Sequence, residues 1–334
     1  MNAFLKNSLL LFSVSILCLL SLEAFTRTVL DDGTVYELEM WKYARQIKMR
    51  DYRQEIGHRH RPDAEAPLMG VVVRTNSFGF RGGSIPEKAP AGVARIAFVG
   101  DSITLGWGVA EQETFANQIL TMLAQQGRKV DGFNLGVGNL NTAQELALFR
   151  DAGERMHPDI IVLGFTINDA EPMPEYTSAN WLSRHSAAWV VFGYRFDSLL
   201  RRLGYSPDWK HYYRRLFHPD SAGWTDAQQA LAEFSDEALG LRAQLIVAKI
   251  PELRELKPYP FNDISATVQA TVESEGDQFV DLLPTVQDLE PSSLWVTVPD
   301  PHPNGRAHAA FAQGIMPTLT AALDRLCRWQ GKGC

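Results

Sequence analysis

The chain has 334 residues, enough for one large domain or a domain with an appendage. Hydrophobic residues make up 45% and charged residues 21%, a globular balance that excludes global disorder and a multi-span membrane protein. A net charge of -7 argues against nucleic-acid binding, which cationic contacts to phosphate dominate, and three cysteines are too few for a disulfide scaffold or a cysteine-rich zinc site.

Ser8 to Leu22 (SLLLFSVSILCLLSL) carries no charge and no Pro or Gly. Extended to Phe4 and Phe25 it makes a helix of about 33 Å, enough for a hydrocarbon core of about 30 Å. Lys6 and Glu23 then stand near the two interfaces, where long side chains snorkel. A cleaved leader and an uncleaved anchor over residues 1–26 are the two readings. Leu22-Glu23-Ala24-Phe25 is a poor small-x-small cleavage site, so the anchor is preferred. Lys6 and the terminal amine favour an inside N-terminus, with the body outside the cytoplasm. Leu17 before Cys18 argues against lipidation there.

Residues 27–93 form an extension. Val35, Leu38, Trp41 and Ile47 suggest a helical stalk. His58-Arg59-His60 reads as a polar loop before Pro62 rather than a metal pair, because no acidic or cysteine ligand stands at familiar spacing.

From about residue 94, strands and helices alternate. Strands are expected at Arg95 to Val99, Val130 to Leu135, Asp159 to Phe165, Gln244 to Ile250 and Phe279 to Leu283. Helices are expected at Thr114 to Gln126, Thr142 to Arg150, Asp226 to Leu241, Asp263 to Ser274 and Gly305 to Cys327. Continuously apolar strands suit a parallel sheet covered on both faces. Cys327 and Cys334 bracket the tail, residues 327–334, either as a small disulfide loop or as two free thiols.

Ligands of such sheets sit beyond the carboxyl ends of the strands. The exits carry Gly100-Asp101-Ser102-Ile103-Thr104, then Asn134 to Thr142, then Thr166-Ile167-Asn168-Asp169, and finally Asp300-Pro301-His302-Pro303-Asn304. A serine nucleophile needs an exposed hydroxyl, an imidazole to take its proton, a group to orient the imidazole, and donors aimed at the oxyanion. These exits contain each of them. Asp101 and Asp169 read as turn and capping carboxylates, and His308 as a packing or surface residue of the last helix. No HExxH, P-loop or dinucleotide glycine pattern is present, so no metal or cofactor is expected.

In these blocks the sequence resembles the SGNH/GDSL hydrolases over roughly residues 94–326: GDSIT at Gly100 to Thr104, the Asn of TIND at Asn168, and DPHPN at Asp300 to Asn304. The resemblance implies a flavodoxin-like three-layer α/β/α sandwich with a parallel sheet, and metal-free ester or acyl hydrolysis. It makes Ser102 the nucleophile, His302 the general base and Asp300 its orienting partner. The Ser102 N–H and the Asn168 amide would form part of the oxyanion hole. Two departures stand out. Where the family has a glycine donor in its second block this chain has Asn139, with Gly138 one residue earlier, and either can supply the N–H. Asp300 also precedes His302 by two residues instead of the family's three. The anchor and Asn76 to Gly82 (NSFGFRG) look like those of membrane-tethered bacterial members, which implies an inner-membrane protein with a periplasmic catalytic domain.

About 55 residues, Ala170 to Thr225, separate the third strand from the next helix, too long for a plain connection. The stretch is rich in aromatics (Tyr176, Trp181, Trp189, Tyr194, Tyr205, Tyr213) and in arginine (Arg184, Arg195, Arg201, Arg202). A lid or wall beside the site, a surface for anionic lipid headgroups, and a small helical subdomain all fit. The expected function is a serine esterase acting on acyl esters of envelope carbohydrate, O-acetyl groups included, with no obligate protein partner. Lipid acyl hydrolysis, carbohydrate O-acyl transfer and a non-catalytic module in polysaccharide export are the rivals.

Overall fold

The computed structural model describes residues 3–173, 180–200, 208–298 and 300–334. Tyr176, Arg201, Arg202 and Tyr205 lie outside them.

Helix α1 (Ala3–Phe25) buries none of its side chains in the protein. Together with a π-helical turn to Leu30, it is long and apolar enough to cross a membrane, with a mean hydropathy of 2.1 and 6% of its most apolar window buried. Helix α2 (Tyr36–Gln46) follows, and its Leu38 and Tyr43 are buried. The helical expectation holds there, but α2 lies against the body rather than standing off as a stalk. Beyond it come two antiparallel pairs, β1 (Lys48–Arg50) with β2 (His58–His60), and β3 (Glu65–Leu68) with β4 (Val71–Arg74). The expected polar loop at His58-Arg59-His60 is therefore a strand. Three residues are too few for alternation to show in sequence. In the structure His60 turns inward, whereas Arg59 pairs outward with Asp51 and Asp151.

The body is built on five parallel strands: β5 (Ala94–Gly100), β6 (Val130–Asn134), β7 (Ile160–Phe165), β8 (Gln244–Lys249) and β9 (Gln278–Asp281). Their spatial order is β6–β5–β7–β8–β9, the flavodoxin-like order. Every residue of β5 and β7 is buried, as their unbroken apolar runs require. After β5 the chain makes a single turn, α3 (Ser102–Leu105), and then α4 (Phe115–Gln125). After β6 comes α5 (Thr142–Leu148). The insertion supplies α6 (Trp181–His185), α7 (Ala187–Leu200) and α8 (Trp209–Leu216). Helices α9 (Ala222–Leu241) and α10 (Asn262–Ser274) precede β8 and β9 respectively. A short antiparallel pair, β10 (Trp295–Thr297) and β11 (Asp300–Pro303), leads into α11 (Gly305–Gln330). Helix α4 packs with α11, and α5 with α9, as the two outer layers.

Cys327 and Cys334 are joined as a disulfide, and the Gly333 N–H donates to Gly92 O, so the tail is tied beneath the start of β5. The topology decides where chemistry can occur. Strand order reverses between β5 and β7, and the loops leaving these neighbours part to open a crevice at the carboxyl edge.

Candidate active site

Gly100 ends β5 with φ +153°, and a Cβ there would lie 2.2 Å from Thr104 Oγ1, so only glycine lets the chain turn this tightly into α3. Asp101 caps that turn, its Oδ1 accepting the Ile103 N–H at 2.8 Å. Ser102 becomes the first residue of the turn, where an N–H has no intrahelical acceptor. Its Oγ lies 2.9 Å from His302 Nε2, across 200 residues of sequence.

Asp300 and His302 both sit on β11. Asp300 Oδ1 is 2.5 Å from His302 Nδ1 and also accepts the His302 backbone N–H at 3.1 Å. The two-residue spacing therefore works because one carboxylate oxygen reaches back to both donors. Its other oxygen accepts Trp107 Nε1–H at 3.0 Å. Burial raises the Asp300 carboxyl, but the hydrogen bonds from His302 and Trp107 outweigh it and hold the group below the usual carboxylate range. An ionised Asp300 keeps the proton of the neutral ring on Nδ1. That leaves the Nε2 lone pair facing Ser102.

Asn168 follows β7 across the crevice. Thr166 Oγ1 donates to its Oδ1 at 2.8 Å, and its Nδ2 donates one hydrogen to Asp101 Oδ2 at 3.1 Å. An amide carries two hydrogens, and the second is available to the cleft that Asn168 lines. Asp101 thus has a second task beyond the expected cap. Asp169, as expected, serves its own turn, accepting the Thr166 N–H at 2.6 Å. His308 is buried in α11, stacked on Phe115, and takes no part.

In the loop after β6, one of the two candidate donors already has an acceptor. Gly138 donates its N–H to Tyr43 Oη at 2.9 Å, so that hydrogen is engaged. Asn139 adopts φ +64°, a left-handed conformation Asn tolerates, and lines the cleft beside Ser102.

The cleft holds about 970 Å³. Its walls come from the stretch before the sheet, which the sequence did not connect to the site, and from the insertion. Tyr36, Glu37 and Met40 arrive from α2, and Tyr194, Arg195 and Tyr213 from the insertion. The Tyr36 ring stacks over His302 at 6.0 Å and 25°. Part of the insertion is therefore a wall, one of the three readings offered for it. Trp107 and Tyr36 are the residues that sequence reasoning missed. Trp107, set between Gly106 and Gly108 just beyond the serine, was the one visible signal. Behind the wall His60 accepts or donates at Tyr43 Oη over 2.6 Å, and His58 Nε2 lies 3.0 Å from Gly138 O. The histidine pair braces a loop.

A flavodoxin-like sheet carrying a hydroxyl, an imidazole and a carboxylate at its carboxyl edge defines a class, the ester-bond hydrolases of SGNH fold. The chain belongs to the GDSL-like lipase/acylhydrolase family, whose model matches residues 98–310. No curated protein matches the chain. Among solved structures, TesA is similar at 17% identity and a TM-score of 0.47, over 68% of this chain and 99% of that one. Axe2, an acetylxylan esterase from Geobacillus stearothermophilus, is similar at 15% identity and a TM-score of 0.45, over 67% and 93%. A putative acylhydrolase from Bacteroides fragilis reaches 16% identity and a TM-score of 0.41, over 70% and 90%.

Proposed function

We propose that the chain is a membrane-anchored serine esterase that removes small acyl groups, acetyl among them, from envelope carbohydrate outside the cytoplasm. The observation that carries the mechanism is the contact of 2.9 Å between Ser102 Oγ and His302 Nε2. Ser102 Oγ attacks the acyl carbon while Nε2 takes its proton. The tetrahedral oxyanion accepts hydrogen bonds from the Ser102 and Asn139 N–H groups and from Asn168 Nδ2. Collapse expels the sugar hydroxyl, which receives the proton from His302. Water, deprotonated by the same nitrogen, then attacks the acyl-enzyme, and a second collapse frees the acid and Ser102.

The cleft's chemistry supports the substrate class. Tyrosine rings (Tyr36, Tyr194, Tyr213) alternate with charged groups (Glu37, Arg195, Arg254). Ring faces suit pyranose C–H surfaces, and charged forks suit hydroxyl pairs. The solvent-facing apolar α1, with Lys6 near its start, supports the anchor and the outward catalytic domain.

The test is hydrolysis by the full chain in detergent micelles. Acetate release from an O-acetylated oligosaccharide is expected, with kcat/KM for p-nitrophenyl acetate at least tenfold above that for the octanoate. Octanoate preference without acetate release overturns the carbohydrate reading and favours lipid acyl hydrolysis. No turnover of any ester overturns the whole proposal.

A further inference from the structure

Helix α7 is apolar on two faces. Ala187, Ala188 and Val191 are buried, and Ala187 and Val191 pack with Leu38 of α2 and with Leu30, Val35 and Trp41. The other face carries Trp189, Phe192 and Phe196, at spacings of three and four residues, all exposed, and α6 adds Trp181 at 69% exposure. An apolar face that no described residue covers needs another solvent. The structure indicates which one. The Glu23 carboxylate, at the end of α1, accepts the Ser186 hydroxyl at 2.7 Å and the Ala187 and Ala188 N–H groups at 3.0 Å, capping α7. Arg27 donates to His185 O at 2.8 Å. The start of α7 is thus fixed at the level where the apolar stretch of α1 ends.

We propose that Trp181, Trp189 and Phe192 lie in the interfacial layer of the membrane that holds α1, setting the mouth of the catalytic cleft at the bilayer surface. Amphipathic rings favour that layer, and the exposed Arg184, between Trp181 and Trp189 in sequence, complements anionic headgroups. Tyr194 and Arg195, which line the cleft, follow Trp189 by about 8 Å along the same helix. The ester this site meets is therefore one carried at the membrane, such as an acylated saccharide still attached to a lipid.

This inference rests on the anchor reading, and the experiment separates the two. The full chain is reconstituted in vesicles of phosphatidylcholine and phosphatidylglycerol with acyl chains brominated near the carbonyl, washed with alkaline carbonate, and read by tryptophan quenching. The chain has eight tryptophans, and the double variant W181F/W189F is expected to lose at least half of the wild-type quenching. Wild-type protein released by carbonate overturns the anchor and this inference with it. Retention with unchanged quenching overturns the inference alone. Unchanged quenching with cross-linking between copies through α7 assigns the stripe to a second chain instead.

A separate observation concerns the oxyanion donor. The Asn139 N–H and the Gly138 C=O belong to one peptide group. Lys48 Nζ, buried at the start of β1, donates to Gly138 O and lies 3.3 Å from Asn139 Oδ1, and His58 Nε2 shares the same carbonyl. Drawing electron density toward the oxygen leaves the N–H on the far side of the peptide a stronger donor. We infer that Lys48 is a positioning residue that orients and polarises the Gly138–Asn139 peptide for the oxyanion. The inference rests on the proposed serine mechanism.

With p-nitrophenyl acetate and the full chain in micelles, Lys48→Met is expected to lower kcat at least tenfold with KM within twofold, and Lys48→Arg to recover kcat to within threefold of wild type. A kcat for Lys48→Met within twofold of wild type overturns the inference, as does equal impairment in both variants. If Lys48→Met does not fold, His58→Gln decides by the same kcat criterion. Turnover unaffected by loss of the Ser102 hydroxyl indicts the serine mechanism rather than Lys48.

Discussion

Ser102→Ala is expected to lower kcat for p-nitrophenyl acetate by about 10⁵–10⁶, the scale on which a serine hydrolase loses its nucleophile. The substitution removes one oxygen. Ser102 Oγ makes its close contact with His302 Nε2 at 2.9 Å and a longer one with Asp101 Oδ2 at 3.5 Å. Neither supports the fold, so thermal unfolding should be unchanged within a degree or two. Covalent labelling by a fluorophosphonate probe should disappear together with turnover. Equal activity in wild type and variant would remove Ser102 from the chemistry.

Asp300→Asn carries the second large effect, about 10³–10⁴ in kcat. The carboxylate receives two hydrogen bonds from His302 at Oδ1 and one from Trp107 at Oδ2. Either orientation of an amide turns its NH₂ toward a donor that expects an oxygen. If the NH₂ faces Nδ1, the ring is driven to the tautomer that protonates Nε2 and cannot take the serine proton. If it faces Trp107, the tautomer survives but the charge that stabilises the imidazolium is gone. Trp107→Phe, which removes only one neutral donor, should cost about tenfold at most. A stability signature accompanies the kinetic one. The Asp300 carboxyl is held below its usual range, so its contribution to stability is present above the unfolded-state value and lost as pH falls through the lowered native one. Urea midpoints of wild type should drop on going from pH 7 to pH 3, and Asp300→Asn should show a shallower drop. An Asp300→Asn enzyme within tenfold of wild type would mean that another group orients the ring.

The sheet was legible because its strands are buried on both faces. Runs such as Ile160 to Phe165 have no alternative environment, and the predicted ends fall within two residues of those found. Ser102 and Asn168 were legible because a parallel sheet sends its strand exits to one edge, and His302 because its DPHPN block marked it, although the antiparallel β10–β11 pair, not a strand exit, carries it there. The walls were not legible. Tyr36 reaches His302 only because α2 docks on the body, and no local pattern in Tyr36 to Gln46 distinguishes a docked amphipathic helix from a free one. The strand at His58 to His60 was hidden for a related reason. Its two histidines are satisfied by Tyr43, Gly79 and Gly138, partners from elsewhere in the chain. The engagement of the Gly138 N–H likewise depends on a hydroxyl 95 positions upstream.

The stretch between α1 and the sheet is therefore part of the cleft wall. A hybrid that transplanted residues 94–326 alone onto another leader would inherit the serine, the imidazole and the carboxylate, yet leave the ring uncovered and the Gly138 carbonyl without its lysine neighbour. Within such proteins the leader and the catalyst would have to diverge as a matched pair.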